Sequence, residues 1–133
     1  MTIMKKQDKF LLRNRLKSFR FAFNGIKKLI KNEHNARIHI VALICVIGLG
    51  VFLKIELTEW IALTIVSGLV ILTELLNTAV ERLADFVETD WNEKIGIIKD
   101  YCAGAVLISA IISLIIGGLI FIPKIITIIK NFC

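Results

Sequence analysis

The sequence predicts an all-α membrane protein: three transmembrane helices preceded by an amphipathic surface helix. Three observations predict it. Hydrophobic residues make up 56% of the 133 positions, and they come in long blocks rather than at the period of a soluble core. The blocks are long enough for a bilayer hydrocarbon layer about 30 Å thick. The charge is lopsided: the formal net charge is +6, and Lys and Arg crowd residues 5–37 against only Asp8 and Glu33. The length suits a single domain covering 1–133.

The surface helix is expected at about 10–32. Leu12, Leu16, Phe19, Phe23, Ile26 and Ile30 recur at alternating steps of four and three, and Arg13, Lys17, Arg20, Lys27, Lys28 and Lys31 fill much of the other face. Such a helix lies in the membrane interface, where its cations meet anionic headgroups. Asn24-Gly25 is a candidate break. Phe10-Leu11-Leu12 is too brief for the apolar core of a cleavable signal peptide.

The spans are expected at 36–53, 60–82 and 99–122. The first is apolar beyond His39, and its Gly48 and Gly50 permit close helix packing. His39, at the membrane edge, reads as a hydrogen-bonded structural group, and Glu33 and Arg37 as an i,i+4 pair. Lys54 to Glu59 is a tight connection, with Trp60 as an interface anchor. The third span carries the small residues Ala103-Gly104-Ala105, Ser109-Ala110 and Gly117-Gly118, and Pro123 is expected to end it. The Lys and Arg residues before the first span, with Arg82, Lys94 and Lys99 in the 82–100 connection, put the N-terminus in the cytoplasm by the positive-inside rule. Cys45, Cys102 and Cys133 form no zinc spacing and no disulfide framework. No soluble module remains to bind nucleic acid.

The second span closes on Glu74-Leu-Leu-Asn77-Thr-Ala-Val-Glu81-Arg-Leu-Ala-Asp85. On a helix, Glu74, Asn77, Glu81 and Asp85 lie at roughly 0°, −60°, −20° and +20°, a single narrow polar stripe. Carboxylates at membrane depth are costly and face a partner, a cavity or water. Lys99, read as opening the third span, would oppose the helix dipole there unless it meets an anion. Phosphoryl transfer asks for charge neutralisation, in-line positioning and an acceptor for the hydroxyl proton. Magnesium takes oxygen ligands, commonly one or two carboxylates with substrate phosphates. Glu33 and Glu81 meet at the cytoplasmic boundary of this topology. Glu74, desolvated but ionised, suits a base. There is no Gly-x-x-x-x-Gly-Lys-Ser/Thr loop and no protein-kinase signature.

With Lys99-Asp100, Ala103-Gly-Ala-Val-Leu, Gly25 and Asn32-Glu33, this stretch resembles the small prokaryotic diacylglycerol kinases, which include the undecaprenol kinases. The resemblance covers roughly residues 15–120. It implies a homotrimer with active sites shared between subunits, in the prokaryotic inner membrane. It implies transfer of the ATP γ-phosphate to a lipid hydroxyl. Glu74 then matches the proposed general base, Asn77 helps order the site, and Glu33 and Glu81 hold magnesium with ATP. Lys99, Asp100 and the segment Asp90-Trp91-Asn92 match nucleotide contacts. The chain departs from the family at Trp91 and Asn92, and at Asn14 and Phe21, to which no role is carried. Glu33-His-Asn35-Ala-Arg37-Ile-His39 looks more like the undecaprenol kinase branch.

Two other classes compete. A proton or cation transporter would use Glu74 and Glu81 as a relay, but it calls for ionisable groups continuing outward, and Trp60 to Leu72 and Ile108 to Ile122 offer none. A non-catalytic membrane adaptor has no need of the full set of Glu33, Glu74, Asn77, Glu81, Lys99 and Asp100.

Overall fold

The structure is a computed structural model and describes residues 12–90 and 92–132, with side chains from Lys17 to Asn131. Four helices follow in order: α1 (Leu12–Asn32), α2 (His34–Phe52), α3 (Leu57–Val87) and α4 (Glu93–Phe132). The last three are long and apolar enough to cross a membrane. α3 and α4 make the principal contact, α2 leans on α3, and α1 touches both α2 and α3. Much apolar surface faces outward, including Ile44, Val51, Ile65, Leu114 and Leu119. That distribution suits a hydrocarbon solvent, in which the apolar residues need no core to hide in.

The α2–α3 connection is short because both helix ends are closed locally. Lys54 adopts the left-handed conformation (φ 49°), its N–H bonds Val51 O at 3.2 Å, and the Ile55 N–H bonds Gly50 O at 3.1 Å. This is a Schellman closure, which satisfies carbonyls left over at a helix C-terminus. Glu56 then precedes α3, and its N–H donates to Glu59 Oε2 at 2.7 Å. Lys124 Nζ pairs with the same Glu59 oxygen at 3.0 Å and ties α4 to the start of α3. Beside this turn lies the dry core of Ile55, Leu63 and Phe121, packed against Trp60 and Leu49. A Cβ on Gly50 would stand 2.8 Å from the Trp60 ring, whereas one on Gly48 would meet nothing within 4 Å. Within the chain, close approach is therefore the role of Gly50.

Several expected boundaries shift. α1 runs unbroken through Asn24-Gly25. A glycine in a helix interior costs about 1 kcal/mol, and α1 offsets this by seating Leu29, which is 4% exposed, on the bundle. Phe19 and Phe23, from the expected apolar stripe, are exposed, whereas Ile26 lines a cavity with Leu43 and Leu63. α3 extends to Val87 and α4 begins at Glu93, so the connection is 88–92 rather than 82–100. Lys99 accordingly lies inside α4 and not at its start. Pro123 also sits inside α4, which continues to Phe132. Proline ends a helix most readily where water can claim the freed carbonyl; apolar surroundings remove that competitor.

Candidate active site

α3 brings Glu74, Asn77 and Glu81 to one side, and the expected stripe exists for these three. They line a cavity of about 320 Å³ together with Asn35 and His39 of α2 and Ala110 of α4. Glu74 is 3% and Asn77 8% exposed, on a helix otherwise covered by apolar side chains. The Asn77 Nδ2 group donates to Glu81 Oε1 at 3.1 Å, which fixes the amide and points its oxygen elsewhere. Glu74 Oε2 and Asn77 Oδ1 are buried with no hydrogen-bond partner. A buried acceptor left unpaired costs about 1–3 kcal/mol, and these two lie side by side on one helix face. Next to Glu74 in the chain, Thr73 bonds the Ser109 hydroxyl across the α3–α4 contact at 2.8 Å. Ser109 is 2% exposed, so this link sets how α3 is rotated against α4 beside Glu74.

Two ion pairs lie outside the cavity lining, on residues that flank it in sequence. Glu33 stands between α1 and α2 in an extended conformation, with no capping bond from its side chain. Its Oε1 is free to accept from Arg82 Nη2 at 2.9 Å. The expected i,i+4 partner, Arg37, instead donates its Nε to the Glu33 backbone oxygen at 3.4 Å. Lys99 Nζ pairs with Asp85 Oδ1, so the anion it was expected to meet is the last carboxylate of the stripe. His39 and Glu81 share the cavity lining with Glu74.

The remaining expected residues do not join this cavity. Asp90 and Asp100 are exposed. Asn92 caps α4, its Oδ1 accepting from the Lys94 N–H at 3.0 Å. Trp91 lies outside the described residues. Among the described residues, no three His, Cys, Asp or Glu side chains cluster as a ready metal site. Sequence reasoning missed Arg82, Thr73 and Ser109, whose partners lie on other helices and leave no local spacing signal. It also misjudged His39: among the described residues the imidazole makes no hydrogen bond, and it belongs to the cavity wall.

These features define a membrane-spanning helical protein with one buried, one-sided carboxylate site. Residues 20–121 match the sequence profile described as prokaryotic diacylglycerol kinase. The chain is 37% identical over 115 residues to the diacylglycerol kinase of Synechocystis, covering 86% of this chain and 66% of that protein. It is 37% identical over 108 residues to the undecaprenol kinase of Bacillus subtilis, covering 81% of this chain and 88% of that protein. The diacylglycerol kinase of Escherichia coli is 27% identical over 100 residues, 75% of this chain and 82% of its own length. The chain belongs to the prokaryotic diacylglycerol kinase family.

Proposed function

We propose that this chain, as one lipid-kinase domain, transfers the γ-phosphate of ATP to the hydroxyl of a membrane lipid alcohol, with undecaprenol preferred over diacylglycerol. The observation that carries the reading is the Glu74–Asn77–Glu81 cavity with its two unpaired buried acceptors. An alcohol entering there donates its O–H to Glu74 Oε2. Its oxygen forms a bond to the γ-phosphorus as the bond from that phosphorus to the β,γ-bridging oxygen breaks. Glu74, ionised when the acceptor arrives, keeps the proton, and ADP leaves. Asn77 holds Glu81 in place through its amide.

Glu33 and Glu81 would hold magnesium. Their carboxylate oxygens suit it, and two protein ligands are enough when phosphates and water complete the shell. Bound magnesium would neutralise charge on the phosphates. Lys99 and Asp100 lie on the same helix as the small-residue run and would reach nucleotide from the cytoplasmic side, as would Asp90 to Asn92. The undecaprenol preference draws support from the Glu33-to-His39 segment. A homotrimer in the prokaryotic plasma membrane, N-terminus cytoplasmic, is part of the same reading. Gly104 and Gly117 of α4 face open space and leave room for a neighbouring subunit. The transporter alternative gains no support from the family.

The test is phosphate transfer by the purified protein in detergent, with γ-labelled ATP, magnesium, and undecaprenol or diacylglycerol in parallel. Label in undecaprenol is the expected result. Stronger labelling of diacylglycerol would overturn the acceptor preference. Loss of nucleotide binding altogether would overturn the kinase reading.

A further inference from the structure

The family profile matches residues 20–121, and α4 runs on to Phe132. Two ion pairs fix how far this tail reaches. Lys99 pairs with Asp85 at one end of the α3–α4 contact, and Lys124 pairs with Glu59 at the other. The two lysines are 25 residues apart and the two carboxylates 26. At 1.5 Å per residue each separation is about 38 Å, more than the roughly 30 Å of a bilayer's hydrocarbon. Both pairs therefore stand at headgroup level, and everything after Lys124 continues past the hydrocarbon.

The tail goes on alone. α3 begins at Leu57 and α2 ends at Phe52, both level with Lys124 through the Glu59 pair. Leu53, in the turn between them, forms only an open notch of about 290 Å³ with Pro123, Lys124, Thr127 and Ile128. Ile125, Ile126, Ile128 and Ile129 are exposed. On a helix these four occupy about 160° of arc, and Lys124, Thr127, Lys130 and Asn131 fill the rest. A face that wide exceeds the two-position seam of a coiled coil and matches a helix lying in a membrane interface. It is continuous with the exposed Ile115, Leu119 and Ile122 of the span. No acidic residue follows Asp100, so the polar side carries cations alone. Pro123 removes one backbone hydrogen bond where α4 leaves the hydrocarbon, which lets the tail lean there without unwinding.

We propose that residues 124–131 form a binding surface for anionic lipid on the leaflet remote from the Glu33–Glu81 end, with the isoleucines set into the leaflet and Lys130 among the headgroups. The inference does not depend on the chemistry of the Glu74 site.

The test is nitroxide depth measurement on the full chain in nanodiscs, in a Cys45→Ser, Cys102→Ser, Cys133→Ser background. A single label is introduced through Ile126→Cys, Ile129→Cys, Thr127→Cys or Asn131→Cys. In anionic lipid the labels at 126 and 129 should lie about 5–10 Å into the boundary between headgroups and acyl chains and meet oxygen. Those at 127 and 131 should meet a water-soluble nickel chelate. Lys130→Glu should raise the isoleucine sites toward water in anionic lipid and leave them unmoved in zwitterionic lipid. Four sites equally open to the chelate would overturn the proposal. So would isoleucine sites shielded from both relaxants with spin–spin broadening, which would mean that a second copy covers the face. Depths indifferent to lipid charge and to Lys130→Glu would overturn the anionic partner.

Discussion

Glu74 is the base of the proposed reaction, and its buried environment says how to test it. Glu74→Gln keeps shape and burial but accepts a proton far more weakly. Turnover should fall by about 10²–10⁴, the usual worth of a general base, while nucleotide affinity and helix content stay as they are; single-turnover kinetics with a nucleotide-binding titration check both. Glu81 has two duties, a bond from Asn77 and the proposed metal contact. Glu81→Ala should weaken magnesium-dependent nucleotide binding, read as a rise in the magnesium needed for half-saturation. Unchanged magnesium dependence would remove Glu81 from the metal site. The Glu74, Asn77 and Glu81 cluster was legible in the sequence because a single helix with a 3.6-residue period carries all of it. The Arg82–Glu33 pair was not, because its partners are 49 residues apart and nothing in the pattern of either neighbourhood names the other.

At the scale of the helices, composition and block length sufficed to find all three apolar elements, since lipid imposes one requirement on the whole segment. Their ends were harder to read. Pro123 and Asn24-Gly25 are stop signals calibrated on water-exposed helices, and here α4 and α1 run through them. Close packing was half legible: two glycines in α2 suggested it, and only the fold tells which one uses it. Gly50→Ala drives a methyl toward the Trp60 ring, and overpacking of this kind costs about 1–3 kcal/mol. Gly48→Ala meets open space and, by helix propensity, should be neutral or stabilising by up to about 1 kcal/mol. Thermal unfolding in one detergent should separate the two variants, and equal midpoints would show that the α2–α3 contact is looser than the geometry indicates.

Across the whole molecule, the polar site and the dry core lie toward opposite ends. The turn at Lys54, the Glu59–Lys124 pair and the Ile55, Leu63, Phe121 cluster close one end. The cavity with Glu74 and the Glu33–Arg82 pair occupies the other. If neighbouring subunits complete one another's sites, mixing inactive Glu74→Gln subunits with inactive Glu33→Ala subunits should restore part of the activity; a mixture as dead as its components would confine each site to one chain. The two oxygens without donors have a further consequence for the protein at rest. A chain that keeps Glu74 Oε2 and Asn77 Oδ1 unsatisfied sits below the stability its fold allows. Glu74→Leu should therefore melt at a higher temperature than the natural protein while being inert, and the natural protein should toughen when an alcohol arrives. A melting curve with and without the alcohol reads both effects, and equal midpoints would show that the two oxygens find donors in the resting protein.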